Sequence, residues 1–93
     1  MATYLISYDL GAPETSADYK KIASYIDSFS AWMKPLQSQW FVVSQNKDAG
    51  QINRELESLT DGNDQVLVLE VTNSNWASYH LGDEKNNWLK NNL

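Results

Sequence analysis

The fold of this chain is decided by the stretch TYLISYDL, residues 3–10, which has the composition of a β-strand and carries one carboxylate near its end. Aromatic and branched residues fill it, and Gly-Ala-Pro at residues 11–13 ends it. Alternation along a strand divides the side chains between two faces. One face holds only aromatic and aliphatic side chains, those of Tyr4, Ile6, Tyr8 and Leu10. This pattern predicts a central strand packed beneath helices.

The opposite face of the same strand ends in an acidic residue, Asp9, behind Thr3, Leu5 and Ser7. Burying an unpaired charge is costly, so the Asp9 carboxylate needs water, a cation or a hydrogen-bonding partner. A strand-end acid that caps the following loop meets this need, and so does a metal-binding or functional residue. Both interpretations stay open from the residues alone.

The composition indicates one folded domain without cysteine chemistry. The 93 residues are 42% hydrophobic and include 4 Trp and 5 Tyr, which is enough for a packed core. Because there is no cysteine, disulfides, thiolate metal sites and cysteine nucleophiles are excluded. No apolar run approaches the roughly 20 residues of a membrane helix, and no leader-like segment precedes the first strand. We therefore expect a cytoplasmic protein with no membrane partner.

The charge pattern disfavours general nucleic-acid binding. Seven basic and twelve acidic residues give a net charge of −5, and among the basic residues only Lys20 and Lys21 are adjacent. Non-specific binding to nucleic acid depends on clustered Lys and Arg side chains that release counterions. Dimerisation can still gather a few of the scattered basic side chains into a local groove.

The first half of the chain predicts a helix followed by two strands. A capping box at residues 15–18 begins the helix, which ends near Ser30. A short strand over residues 31–35 then leads through a tight turn to a strand over residues 39–44. Because proline is tolerated only at a sheet edge, Pro35 predicts that the short strand lies outermost.

The second half predicts another helix, another strand and a tail. Asp48 caps the helix with Gln51 in the box position, and residues 65–72 form a strand. Its nearly continuous apolar run predicts burial on both faces. In the tail, residues 75–81 suit a strand or a helical turn, and residues 83–92 suit a short helix.

This order of elements is that of an α+β, ferredoxin-like βαββαβ sandwich with a four-stranded antiparallel sheet. The ferredoxin-like domain spans residues 1–72, and residues 73–93 form a C-terminal extension that packs on the domain or on a dimer partner. Two helices cover only one face of the sheet, although the strands are apolar on both faces. Either a second copy or the extension must cover the other face. We expect a homodimer through the sheets, with the tail contributing.

Five short sequence motifs occur along the chain in an order that a known family shares. They are Tyr8-Asp9, Trp32, Ser38-x-Trp40, Asp61-x-x-Asp64 and Trp88-Leu89-Lys90. In order and spacing they resemble the Cas-two-like superfamily of small CRISPR-associated nuclease and spacer-adaptation subunits, and most of all its short SinR-like bacterial and phage members. The resemblance implies a ferredoxin-like homodimer in which the aspartate at the end of the first strand faces its symmetry mate, and it connects the chain with phage defence.

Carried over to this chain, the resemblance makes Asp9 both the catalytic residue and the metal ligand. Mg²⁺ is the implied cofactor, since it favours one or two carboxylates completed by water. The chain departs from the members that handle nucleic acid, which usually have basic residues around the first loop and helix. Here that region contains Glu14 and Asp18, with Lys20 and Lys21 as its only positive residues.

The other chemistry-bearing residues favour packing over catalysis. Ser7 suits a small interface residue, and Ser38 has no His or Lys beside it in sequence that would activate it. His80, the only histidine, lies in an aromatic tail. Asp61 and Asp64 supply too few ligands for a metal loop. Four aromatic residues suit either packing or base stacking, namely Trp32, Trp40, Trp76 and Tyr79.

Three functions fit these features. The favoured one is a non-catalytic dimer that binds a nucleotide or a partner protein, which agrees with the acidity and the abundant aromatic residues. The alternative is a metal-dependent endonuclease or endoribonuclease that uses paired Asp9 carboxylates at the dimer axis. The third is a toxin-like or regulatory ribonuclease, which requires a base such as His80 near its active centre.

Overall fold

The computed structural model describes residues 1–11 and 16–93. Its strands and helices form an α+β domain. In chain order they are β1 (Ala2–Asp9), α1 (Ser16–Ile26), β2 (Ala31–Met33), β3 (Gln39–Ser44), α2 (Ala49–Glu57), β4 (Gln65–Glu70) and α3 (Asp83–Asn92). Thr15, the first residue of the predicted capping box, lies outside the described residues. None of the helices in the described part is long and apolar enough to cross a membrane.

The four strands form one antiparallel sheet in the order β2-β3-β1-β4. This is the order of a ferredoxin-like fold, so the predicted fold is confirmed. The centre of the sheet is β1, where Ile6 stands opposite Trp40 of β3 on one side and Val68 of β4 on the other. The edge position that Pro35 predicted for β2 is also confirmed.

The core lies between the sheet and helices α1 and α2. All four apolar side chains predicted for this face of β1 are buried, and Ile6 has no exposed surface. The helices cover them with four side chains that are almost fully buried, namely Ile22, Ile26, Ile52 and Leu56. The alternation of TYLISYDL therefore corresponds to a real division between a core face and a second face.

The two helices of the core differ in how well their ends were predicted. Helix α2 begins at the predicted cap, where the Asp48 carboxylate accepts the N–H of Gln51 at 2.8 Å. Helix α1 ends at Ile26, four residues before the predicted end at Ser30. The reason is a tighter turn, in which the Phe29 N–H donates to the Ile26 carbonyl at 3.1 Å and the Phe29 ring enters the core.

The strand ends and the tail also depart from prediction. The two outer strands are each two residues shorter than predicted, and residues 71–82 form neither strand nor helix. The Val71 N–H still donates to the Thr3 carbonyl at 2.8 Å, but Thr3 N–H donates to the Thr72 side chain instead of continuing the ladder. Asn73 then adopts a φ of 58°, which turns the chain away from the sheet.

Helix α3 has the predicted bounds and packs on the sheet face opposite α1 and α2, here called the open face. The Trp88 ring lies 6.0 Å from the Phe41 ring of β3, and Leu89 is buried. At the end of the helix the Asn92 carbonyl accepts the Thr3 hydroxyl of β1. The contacts of α3 with the open face therefore include both central strands.

The open face remains exposed on its β4 side. Leu67 is 57% exposed and Leu69 is 47% exposed, while Val66 and Val68, on the helix side of the same strand, are half-buried. Leu5 of β1 lies opposite Leu69 and is partly exposed. In the single chain, the prediction that β4 is buried on both faces is therefore wrong. We call Leu5, Leu67 and Leu69 the leucine strip.

The two edges of the sheet differ in character. β2 has only three residues and is followed directly by Lys34 and Pro35. Short length, lysine and proline all discourage pairing with a further strand. β4 has six residues, and four consecutive apolar ones occupy positions 66–69 without lysine or proline. Of the two edges, only β4 has the features of a strand that accepts a neighbour.

Candidate functional site

Asp9, the residue singled out by sequence, is the last residue of β1, and its side chain is exposed on the open face. It stands opposite Gln65 of β4, and with Ser7 and Leu67 it lines a shallow depression of about 220 Å³. Within residues 1–11 and 16–93, no group of three or more His, Cys, Asp or Glu side chains is placed to hold a metal ion. One chain thus brings a single carboxylate to this depression, fewer donors than a resident cation needs.

Gly11, two residues after Asp9, is held in place by Asp64. One oxygen of this carboxylate accepts the Gly11 N–H at 2.8 Å, and the other accepts the Asp61 N–H at 2.9 Å. These bonds hold the pKa of the Asp64 carboxyl below its usual range, with the bond from Asp61 as the largest cause. The Asp61-x-x-Asp64 turn therefore acts as a clamp on the end of β1.

A second candidate site is a cleft of about 360 Å³ between α1 and the β2 edge, which we call the tryptophan cleft. Trp32 of β2 is 44% exposed in it and meets Trp40 of β3 edge to face, with ring centroids 5.7 Å apart. The indole N–H of Trp40 donates to the Tyr8 hydroxyl at 3.2 Å, which fixes this ring in the wall. Lys20 and Asp27 lie on the α1 side.

Lysine side chains surround the aromatic wall of the tryptophan cleft. The Lys34 ammonium lies 5.5 Å from the centre of the Trp40 ring, within the range of a cation–π contact. Lys20 approaches from α1, and Asp27, the residue directly after this helix, lines the same side of the cleft. Lys20 and Asp27, the charged residues that line the cleft, balance each other, so Lys34 beside the Trp40 ring supplies the positive excess in a chain whose net charge is −5.

Sequence reasoning named the two tryptophans but missed the lysines that accompany them. The missed signal is strand alternation, because residues two apart on a strand share a face and so place Lys34 beside Trp32. The approach of Lys20 has no such signal, since it depends on how α1 packs over the sheet. Long-range packing, not spacing, brings Lys20 to the cleft.

The remaining candidates lie apart from both sites. Ser38 adopts a φ of 59°, and its carbonyl accepts the Tyr8 N–H at 3.0 Å, which is a backbone role. His80 is exposed and stacks on Tyr79 with ring centroids 3.9 Å apart. It does not line the depression at Asp9. The base that the toxin-like ribonuclease hypothesis requires is therefore not among the residues around Asp9.

A polar cluster at the far end of the helix layer was not expected from sequence. One Glu55 carboxylate oxygen accepts both the Tyr25 hydroxyl and the Lys47 ammonium at 2.6 Å, and Gln51 donates to the other oxygen at 3.3 Å. The bond from Lys47, followed by that from Tyr25, lowers the pKa of the Glu55 carboxyl. Burial and the nearby Glu55 raise the pKa of the Tyr25 hydroxyl. Only the Gln51–Glu55 spacing was visible in the sequence.

Replacing Glu55 with glutamine should lower the free energy of unfolding at pH 7 by about 1 kcal/mol, since the charged bonds are partly exposed and screened. A carboxyl whose folded-state pKa lies below its ordinary 4.5 stabilises the fold above pH 4.5 and loses this contribution as the pH falls further. The difference between wild type and Glu55→Gln should therefore shrink as the pH falls from 5 to 3. Urea unfolding at several pH values measures this.

Glu57→Gln, an exposed change on the same helix, is the matched control for this prediction. It should leave the free energy of unfolding at pH 7 nearly unchanged. A Glu55→Gln difference that stayed constant down to pH 3 would show that the carboxylate charge does not contribute.

No protein-family model matches the chain, and no solved structure is significantly similar to it.

Proposed function

We propose that the protein is a non-catalytic, Cas-two-like homodimer that binds a nucleotide in the tryptophan cleft. The observation that carries this proposal is the exposure of Trp32, 44% of whose surface is open to solvent, in a cleft that Lys20 lines and where the Lys34 ammonium lies 5.5 Å from the Trp40 ring. An exposed indole in a positively charged cleft favours a ligand with a flat ring and a negative charge. A nucleotide has both.

The proposed arrangement uses the two chemical features of the cleft separately. The base stacks on the Trp32 indole, an interaction that contributes about 1–3 kcal/mol and tolerates any base. The phosphate lies toward the ammonium groups of Lys20 and Lys34, which supply charge without the donor fork of arginine. Trp40 supports the indole from behind and is itself held by Tyr8.

Two observations separate this proposal from the binding of a partner protein at the same cleft. A protein partner favours a broad apolar patch, whereas Trp32 is the one exposed large hydrophobic side chain among the described residues that line this cleft. The cleft volume of about 360 Å³ also suits a small ligand. Nucleotide binding is therefore the function that the cleft supports best.

A metal-dependent nuclease is the second candidate, and one observation favours it. Asp9 is exposed on the open face, the same face that carries the leucine strip. A dimer joined face to face through this surface would bring two Asp9 carboxylates toward one another, as the resemblance implies. The candidate depends on that dimer, because one chain supplies a single carboxylate.

Replacing Trp32 with alanine should weaken nucleotide binding at least about fivefold. Loss of stacking worth about 1–3 kcal/mol corresponds to a factor of roughly 5 to 150 in Kd. Isothermal titration calorimetry with adenosine triphosphate and with uridine monophosphate measures the effect, and the loss should be similar for both bases. Lys34→Gln should weaken binding of the triphosphate more than that of the monophosphate.

Trp76→Ala is the matched control, since it removes another partly exposed tryptophan, in the tail. It should leave both dissociation constants unchanged. Wild-type protein that binds neither nucleotide would overturn the proposal. The same preparations, assayed with Mg²⁺ or Mn²⁺ on single-stranded RNA and double-stranded DNA, should show no cleavage. Cleavage that disappears in Asp9→Asn would establish the nuclease instead.

A further inference from the structure

The β4 edge presents unused backbone hydrogen-bonding groups. Because the Val71 N–H donates to the Thr3 carbonyl, the odd-numbered residues of β4 bond to β1. Alternation in an antiparallel ladder then directs the N–H and C=O groups of Val66, Val68 and Glu70 away from the sheet. These groups form a complete template for one more antiparallel strand.

The side chains along most of this edge do not protect it, and the one charged residue of β4, Glu70, lies at its end. β4 carries no lysine, proline or bulge, and its open-face leucines are about half exposed. Natural sheets block such edges because they attract other strands. The β2 edge of the same sheet has features that block pairing. The two edges therefore differ, and an edge able to accept a strand is specific to β4.

We infer that β4 pairs antiparallel with β4 of a second copy about a twofold axis at Val68, which joins the two sheets into one of eight strands. This goes beyond the proposed nucleotide site, which lies at the opposite, β2 edge. The occupant is a second copy because the strand is complementary to itself in this register. Val68 opposes the partner's Val68, and Val66 opposes the partner's Glu70, each pair exchanging backbone bonds.

Charge selects this register over its neighbour. A shift of the axis to Leu67 would place Asp64 directly opposite the partner's Glu70, and like charges in that position are destabilising. With the axis at Val68, Asp64 opposes the partner's Thr72. A shift in the other direction, to Leu69, would leave only residues 68–70 paired with β4 residues of the partner, whereas the axis at Val68 pairs residues 66–70 in this way.

The same register covers the leucine strip. Leu67 opposes the partner's Leu69 in a non-hydrogen-bonded pair, the type in which Cα atoms approach to about 4.5 Å and side chains lie closest. The contact occurs twice, once on each side of the axis. The two most exposed leucines of the open face would thus be covered without displacing α3, which packs over β1 and β3.

This geometry has a direct consequence for Asp9. Its partner in β4, Gln65, lies three residues from the axis, and β1 is one strand further in. Using about 3.3 Å per residue and about 4.8 Å between strands, the two Asp9 Cα atoms lie about 25 Å apart. The edge-to-edge dimer therefore does not form the paired carboxylates that the nuclease needs.

Sedimentation equilibrium and single-cysteine variants test the inference. Wild type should dimerise with a micromolar Kd, so the mass should double by about 200 µM. Leu67→Lys places a charge one residue from the axis, opposite the partner's Leu69, and should raise this Kd at least tenfold, while Leu36→Lys, at another exposed leucine, should leave it unchanged. A wild-type monomer throughout, or a Leu67→Lys dimer as tight as wild type, would overturn the inference.

Cross-linking tests the register, and the absence of native cysteine gives it a clean background. Leu67→Cys and Leu69→Cys proteins, mixed and gently oxidised, should form the mixed 67–69 disulfide in preference to either self-pair, since the paired Cα distance suits a disulfide. Self-linked Leu67→Cys as the main product would place the axis at Leu67 and overturn the register. Loss of nucleotide binding leaves these measurements unaffected, so the two proposals fail independently.

Discussion

Replacing Ile6 with alanine should lower the free energy of unfolding by about 4 kcal/mol, one of the two largest effects that we expect. Ile6 has no exposed surface and lies on the central strand, opposite Trp40 on one side and Val68 on the other. The truncation removes a buried side chain and leaves a cavity that the surrounding sheet and helices fill only in part. The total free energy of unfolding of such a domain is about 5–15 kcal/mol, so this substitution removes a large part of it.

Urea unfolding followed by circular dichroism measures this change, with all proteins at one concentration because the proposed dimer would contribute to the apparent stability. Leu36→Ala is the control, since Leu36 is 61% exposed and its truncation should change the free energy by less than about 0.5 kcal/mol. A loss below about 1 kcal/mol for Ile6→Ala would contradict the position of Ile6 at the centre of the core.

Gly11→Ala should cost about 2 kcal/mol or more, although it adds a single methyl group to a surface loop. A Cβ atom at this position would lie 2.4 Å from the Asn63 carbonyl oxygen and 2.6 Å from two Asn63 side-chain atoms. Because the nearest atom belongs to the backbone, the loops must separate to admit the methyl group. That separation would also stretch the bond from the Gly11 N–H to the Asp64 carboxylate.

The matched control is Gly62, which lies beside Asn63 in the Asp61-x-x-Asp64 turn. A Cβ atom at Gly62 would meet no atom within 4 Å, so Gly62→Ala should be neutral or stabilise the protein by up to about 1 kcal/mol through the unfolded chain. Both variants make the same Gly→Ala change, but only the one at Gly11 creates a close contact. Comparing their thermal unfolding therefore isolates the steric effect. Equal midpoints for Gly11→Ala and Gly62→Ala would contradict the close approach.

The fold was predictable because most of its elements carry local signals. The alternation of TYLISYDL identified the core face of β1, and Asp48 with Gln51 marked the start of α2. The end of α1 was not predictable from the helical spacing, because Phe29 continues the apolar stripe although the chain has already left the helix. The spacing of apolar residues predicts which side chains are buried, but it does not predict whether the backbone at those residues is helical.

The sites were less predictable than the fold, for a physical reason. Asp9 could be singled out because one residue type at a strand end is visible in the sequence. The meeting of Trp32, Lys34 and Lys20, like that of Glu55 with its partners, depends on distances across the tertiary structure. The sequence predicted that two helices leave one sheet face to be covered, but not that α3 leaves its β4 side exposed, because an apolar run gives the same signal whether the chain's own tail or a second copy covers it.

The blocked β2 edge decides how far an assembly built on β4 can grow. If both edges accepted strands, each added copy would present a fresh edge, and the product would be an open filament. Here the three-residue β2 with Lys34 and Pro35 behind it ends the sheet on its outer side. An isologous contact at β4 uses the same surface twice and consumes it, so the assembly closes at two copies. Because β2 is short and blocked, the protein can have an edge at β4 that accepts a strand without forming an open filament.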